Sequence, residues 1–221
     1  MSDIKFNPWV GNMYQNGIIG YDANSKIIYG TEDYKGAKIL VLGESHYCAN
    51  PETEATKELT VNIISDILNP NSEWEAYKNT YTKFIKSLIG SLDDFGQKDK
   101  EDAWQHIVFY NYVQTAMSGA RVAPTAEDFK NSEKAFFEVL QTYKPDVVIV
   151  WGNRLYNNLP KGGKQLDDLT ISTGRFSGNS TEMWSYKVCD KNVVVMPITH
   201  PSAAYSTGLF NAFFKELISN K

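Results

Sequence analysis

Residues that build metal clusters or disulfide frameworks are scarce here: 221 residues hold two Cys and three His. Cys48 and Cys189 lie far apart and neither belongs to a Cys-x-x-Cys pair, which excludes a disulfide scaffold and a four-thiolate metal site. Cys48 is read as a buried, incidental thiol rather than a reactive one. Neither charge dominates, because 22 Lys and Arg against 26 Asp and Glu leave a formal charge of -4. A nucleic-acid ligand would have to be held by a local patch rather than by a general basic field, and charge alone points to a small-molecule enzyme. No stretch approaches the roughly 20 apolar residues that span a bilayer, and the opening MSDIKFNPWVGNMY lacks the basic-then-apolar pattern of a secretory leader. The expectation is a cytoplasmic, monomeric protein with no membrane partner. GxGxxG, GxxxxGK[ST] and GxSxG are all missing, which removes the usual supports for dinucleotide, P-loop and α/β-hydrolase chemistry.

What the chain does have is 42% hydrophobic and 13% aromatic residues, enough to bury one sizeable core. Four short apolar runs stand out: KILVL at 38–42, IVFYNY at 107–112, DVVIVW at 146–151 and NVVVMPI at 192–198. Their near-continuous Val, Ile, Leu and aromatic content is that of parallel strands covered on both faces. Helical patterns lie between them. One is expected over 50–68, with Asn50 as cap and Pro51 in the first turn. A second carries Trp74, Tyr77, Tyr81, Phe84 and Leu88 as a buried stripe closed by Gly90. A third opens with the capping pattern at Thr125–Asp128, buries Phe129, Phe136, Val139, Leu140 and Tyr143, and stops before Pro145. Shorter ones are expected over 153–159 and 208–218.

The alternation predicts a single domain over 1–221: an α/β fold, a three-layer α/β/α sandwich around a four-stranded, mainly parallel sheet. Residues 1–36 are expected to form an N-terminal arm of turns with a hairpin around Asp22–Asn24. Residues 161–185 are expected to make an irregular excursion, with 183–188 as a candidate extra edge strand.

In open α/β sheets ligands collect beyond the carboxyl ends of the strands, where the strand order reverses. The polar residues that follow the four runs are Gly43-Glu44-Ser45-His46-Tyr47, Asn111, Gly152-Asn153-Arg154 and Thr199-His200-Pro201-Ser202. Glu44, His46 and His200 have the composition of a two-His, one-carboxylate metal triad, but nothing fixes their spacing, and no metal is assigned. Glu44 has a second possible role, pairing with Arg154.

The GESHY block, Asn111 and the His200-Pro201-Ser202 block resemble, in order, the signature blocks of the uracil-DNA glycosylase superfamily. The nearest pattern is the iron-sulfur branch known as family 4, whose Asn-led run continues as Arg121, Pro124, Thr125 and Glu127 and is followed by Lys144-Pro145-Asp146-Val147-Val148. The resemblance spans Ile39 to about Ser202. It implies the α/β/α fold and hydrolysis of the bond between a base and deoxyribose in DNA, single-stranded or weakly paired. The family's cluster cysteines are missing, with Asn131 near one such position, so no iron-sulfur cluster and no other cofactor is expected.

Under this resemblance His200 and Glu44 are the catalytic residues. His200 donates to the carbonyl oxygen of the departing base; Glu44 orients water or stabilises the sugar cation. Asn111 pairs with the uracil edge. Gly43, with the backbone amides of Glu44 and Ser45, shapes the base pocket, and His46 and Ser202 complete the substrate-binding set. Tyr47 falls on the tyrosine that crowds the base's C5 position in family 1, while Ser45 and His46 fall where that family has its water-activating Asp and a Pro. The stacking Phe has no counterpart after Tyr47, and Tyr205 is the one residue after the HPS block large enough to intrude on a base stack. Two other functions remain open: a base- or nucleotide-binding module without hydrolysis, and an N-glycosidase of small nucleosides.

Overall fold

The computed structural model describes residues 2–90, 95–119 and 122–219. Arg121, part of the family-like run, lies outside these residues. In chain order the elements are strands β1 (Trp9–Val10), β2 (Ile18–Tyr21), β3 (Ile27–Tyr29) and β4 (Ile39–Gly43); helices α1 (Pro51–Glu54), α2 (Leu59–Leu68), α3 (Lys78–Ile89) and α4 (Gln97–Gln105); and strand β5 (Ile107–Asn111). There follow helices α5 (Ala126–Asn131) and α6 (Glu133–Tyr143), strand β6 (Val147–Trp151), helix α7 (Asn153–Asn157), strands β7 (Lys164–Thr170), β8 (Ser180–Val188) and β9 (Lys191–Ile198), and helix α8 (Thr207–Ser219).

Every residue of β4, β5 and β6 is buried, as continuous apolar runs require. Side chains alternate across a strand, so these runs feed two cores. Ile39, Val41, Ile107, Phe109, Val147, Ile149, Met196 and Ile198 pack with α2, α3, α4 and α8. Leu40, Leu42, Val108, Tyr110, Val148, Val150, Val193 and Val195 pack with α5, α6 and α7 on the other face. Helices therefore cover both faces of one sheet.

That sheet has seven strands, not the four expected, in the order β1-β5-β4-β6-β9-β8-β7. The four expected strands form its contiguous parallel centre, β5-β4-β6-β9. Antiparallel β1 is added at one edge, and β8 and β7 at the other. The excursion over 161–185 is thus largely regular. β7 escapes an apolar pattern search because Lys164, Gln165, Asp167 and Asp168 are exposed on an edge strand, and its register shifts between Leu166 and Leu169. The hairpin expected in the arm is present as β2–β3, and β1 binds the arm into the main sheet.

Three expected helices are corrected. Over 50–68 the chain breaks between α1 and α2, because the Lys57 carbonyl accepts from the Asn7 amide at 2.7 Å and the Glu58 carboxylate from the Asn7 side chain at 2.6 Å. The second helix begins only at Lys78, whose ammonium lies 2.7 Å from Asp66 and donates to the Glu73 carbonyl at 2.6 Å, holding the preceding segment as a loop. Trp74 is consequently 72% exposed and Tyr77 38%, while Phe84 is fully buried. The stripe assigned to the core is core from Tyr81 onward. The third helix is split at Ser132, whose hydroxyl donates to the Asp128 carbonyl at 2.7 Å. Helix α4, QKDKEDAWQ, is too polar to show an apolar period; it is begun by Asp99 accepting from the Gly96 amide at 3.0 Å.

The buried and exposed parts of the Trp74–Leu88 stripe should respond differently to truncation. In urea unfolding, Phe84→Ala is expected to cost about 3–5 kcal/mol and Trp74→Ala to stay within about 0.5 kcal/mol.

Candidate active site at the strand switch point

From β4 the chain crosses to β5 on one side, and later enters β6 on the other. The strand order therefore reverses between β4 and β6, and the rim beyond their carboxyl ends is the switch point. Glu44 is the first residue past β4. Arg154 is carried by the start of α7, reached from β6 through Gly152, whose φ of 95° is the left-handed turn that glycine permits. The two side chains meet in a forked ion pair: Arg154 Nε donates to Glu44 Oε2 at 2.7 Å, and Nη2 donates to Oε1. Glu44 is 8% exposed, whereas the Arg154 side chain is 55% exposed. The hydrogen bonds that Glu44 accepts, together with the charge of that carboxylate, hold the Arg154 guanidinium still further above its ordinary value, against the opposing effect of burial.

His200 joins this rim from the end of β9. Its Nδ1 lies 2.7 Å from the Ser202 hydroxyl and 3.2 Å from the Ser202 backbone N–H. A backbone N–H can only donate, so Nδ1 is the acceptor and the network assigns the proton of the neutral ring to Nε2. Burial lowers the His200 imidazole below its ordinary value, with Glu44 acting upward and Arg154 acting downward. Near neutral pH the ring is a neutral donor. Its edge rests on Trp151, ring centres 5.9 Å apart, and its Cβ would lie 3.4 Å from a side chain added at Gly152. Trp151 in turn packs against Tyr81, Phe84 and Phe109 at 5.2–5.3 Å, an aromatic bed beneath the rim.

Tyr47, on the same loop as Glu44, is 45% exposed. The Ser45 hydroxyl is buried and, among the described residues, has no hydrogen-bond partner. The structure thus brings Glu44, Ser45, Tyr47, His200 and Ser202 to one rim and adds Arg154. Sequence reasoning placed Arg154 among the polar residues past the third apolar run and as a possible partner of Glu44, but gave it no catalytic or binding role.

Three expected substrate contacts turn inward instead. Asn111 is 4% exposed and its amide covers Gly43, so that a Cβ there would stand 2.2 Å from Asn111 Oδ1. Its Nδ2 is 3.1 Å from both ring nitrogens of His46, a position over the ring face rather than in line with either lone pair. His46 is 2% exposed, with Nε2 2.9 Å from Thr60 Oγ1 and Phe6 edge-on at 5.0 Å. Tyr205 places its hydroxyl 2.6 Å from Ser87 Oγ and stacks on Phe210 at 4.6 Å, so it is a strut between α3 and α8 rather than a wedge. Among the described residues no His, Cys, Asp and Glu side chains gather in threes as metal ligands would. Two clefts lie away from the rim, one of about 130 Å³ between α7 and the β7–β8 hairpin and one of about 260 Å³ beside α2 and α4.

No protein-family model matches this chain, and no curated protein matches it.

The buried His46 makes stability depend on pH. Its ordinary value of 6.5 falls to about 4 in the folded chain through burial. As pH drops, the unfolded state takes up the proton first, so stability present above about pH 6.5 is lost progressively towards pH 4, by up to about 3 kcal/mol. Urea unfolding at a series of pH values should show this loss, and His46→Gln should remove its share of the slope.

Proposed function

We propose that the chain is a divergent member of the uracil-DNA glycosylase superfamily that acts as a monomer, without metal or cofactor, on uracil or a related base in DNA. What carries this reading is the meeting of Glu44 and His200, 156 positions apart in the numbering, at one rim of the switch point with a proton assigned to His200 Nε2. These are the two positions that the family resemblance makes catalytic. The four parallel central strands between helical layers support the same fold assignment.

The reaction breaks the bond between the base nitrogen and C1′, and water oxygen bonds to C1′. The base leaves with the electron pair, which settles on its carbonyl oxygen. A neutral imidazole N–H stabilises that oxygen without having to give up a proton, and the cost of aligning the ring has already been met by Ser202 and Trp151. The sugar gains positive character, which the Glu44 carboxylate stabilises from across the rim. With Ser45 at the position where family 1 has its aspartate, orientation of the attacking water falls to Glu44, and the water's second proton passes to solvent or to Glu44. Asn111 and His46 act from below by packing, and reading of the base edge is left to the backbone of Gly43–Ser45 and to Tyr47.

A second reading, binding without hydrolysis, is favoured by one observation: both oxygens of Glu44 are engaged by Arg154, which competes with water for the same carboxylate. Release of free uracil from single- and double-stranded oligonucleotides separates the two. The glycosylase reading expects faster release from single strands, and a loss of about 10²–10³-fold in both His200→Ala and Glu44→Ala. Activity that survives both substitutions refutes the assigned roles; saturable binding with no product supports the second reading. Binding should weaken with salt, with the shallow slope expected when an acidic protein holds a polyanion through a local patch of few phosphate contacts.

A further inference from the structure

A guanidinium offers five N–H donors along two usable edges. In Arg154 the edge formed by Nε and Nη2 is taken by Glu44. The other edge, formed by Nη1 and the second hydrogen of Nη2, presents another parallel pair of donors, and among the described residues no protein acceptor engages Nη1. The carboxylate is buried while the arginine side chain is 55% exposed, so the occupied edge faces the protein and the free edge faces solvent. A structural ion pair alone does not require that arrangement, since a lysine or a fully covered arginine would neutralise Glu44 equally well. The fork also fixes the plane of the guanidinium, so the free edge is held in orientation before any ligand arrives.

The surroundings specify a ligand rich in acceptors. Glu44 balances the charge of the guanidinium, so the free edge offers N–H donors without net charge, and His200, two residues past β9 on the same rim, carries its proton on Nε2. Tyr47, three residues after Glu44 on the same loop, is 45% exposed. A group with two equivalent oxygens and negative charge matches a planar pair of N–H donors, and in a nucleotide that group is the phosphate.

We infer that the free edge of Arg154 is a phosphate-binding site, which holds the phosphodiester flanking the base placed at His200 and which, through the shared guanidinium, positions the Glu44 carboxylate when that phosphate is bound. This rests on the reading of the rim as the place where a nucleotide unit of DNA is held. Arg154 is a phosphate-binding residue by its free edge and a positioning residue by its occupied one.

The test neutralises the phosphate rather than the protein. Uracil-containing single-stranded oligonucleotides carry a single uncharged methylphosphonate, walked through the positions on either side of the uracil, and affinity is measured by fluorescence anisotropy with full-length protein. At one flanking position the wild type should lose about tenfold in affinity, the size of a charge-assisted fork. Arg154→Lys keeps a positive charge beside Glu44 but has no second edge, so it should lose affinity for the all-phosphate strand and show no further loss at that position. A parallel titration of deoxyuridine, deoxyuridine 5′-monophosphate and inorganic phosphate identifies the source of the group: an Arg154-dependent preference for the monophosphate with no positional effect in oligonucleotides assigns the edge to a free nucleotide instead of DNA. A positional loss of equal size in wild type and Arg154→Lys, or no phosphate-dependent difference in either titration, overturns the inference. Base release that continues with that result leaves the glycosylase reading intact, whereas Arg154-dependent phosphate binding without base release from any strand leaves the inference standing and removes hydrolysis.

Discussion

Two-sided burial of four parallel strands is the constraint from which the remaining features follow. A parallel strand with helices on both faces has no solvated side to spend on polar residues, and β4, β5 and β6 are buried at every position. Chemistry is therefore excluded from the middle of the sheet and displaced to the strand ends, where the chain changes direction. The switch between β4 and β6 sharpens this, because the connections leaving the two strands diverge and leave the rim uncovered. Glu44, Arg154 and His200 occupy that opening, while the polar residues one layer below must find partners within the protein.

How they do so explains why some family-like residues do not face the rim. Asn111 ends β5 under full cover, so its amide has to be satisfied inside, and it lies against Gly43 and the face of His46. His46 then bonds Thr60, and Phe6 from the N-terminal arm closes over the ring edge-on. The arm is stitched at the same place: the Gln114 side chain accepts from the Lys5 amide at 2.8 Å and donates to the Asn111 carbonyl at 2.9 Å. A segment that reads as loose turns thus becomes the lid over the buried polar layer. The rim above inherits a rigid floor from side chains that never meet a ligand.

This division also accounts for what could be read from the sequence. The four central strands were legible because two-sided burial writes itself as Val, Ile and Leu, and the polar residues just past them were legible because the sheet leaves them nowhere else to stand. β7 was not, since an edge strand with Lys164, Asp167 and Asp168 in solvent carries no apolar signature. α4 was hidden for the same reason, with Ala103 and Trp104 as its buried residues. Trp74 misled in the opposite direction: its spacing fits a helical stripe, but the pull of Lys78 on Ser72 and Glu73 keeps the turn before α3 outside the core. Orientation was the other blind spot. Motif position placed His46, Asn111 and Tyr205 near the site, and no spacing rule says whether a side chain at a strand end points out or in.

Two glycines show how narrowly the rim is set. Each stands at the end of a central strand, one where a neighbour already fills the space of a Cβ and one where the backbone turn itself calls for glycine. At Gly43 that space belongs to Asn111, with 2.2 Å between a notional Cβ and Oδ1. At Gly152 a Cβ would make only an ordinary contact with the His200 Cβ at 3.4 Å, and what calls for glycine is the backbone φ of 95°, which other residues adopt only with strain. The first glycine lets the floor rise close under Glu44; the second lets β6 turn sharply enough for α7 to bring Arg154 back over β4. Without that turn the guanidinium could not reach a carboxylate on the neighbouring strand, and Glu44 would be a buried charge with no partner, a state that costs about 3–5 kcal/mol where it has been measured. The ion pair, the imidazole and the aromatic bed are therefore one geometric solution, fixed by the absence of two side chains as much as by the presence of the charged ones.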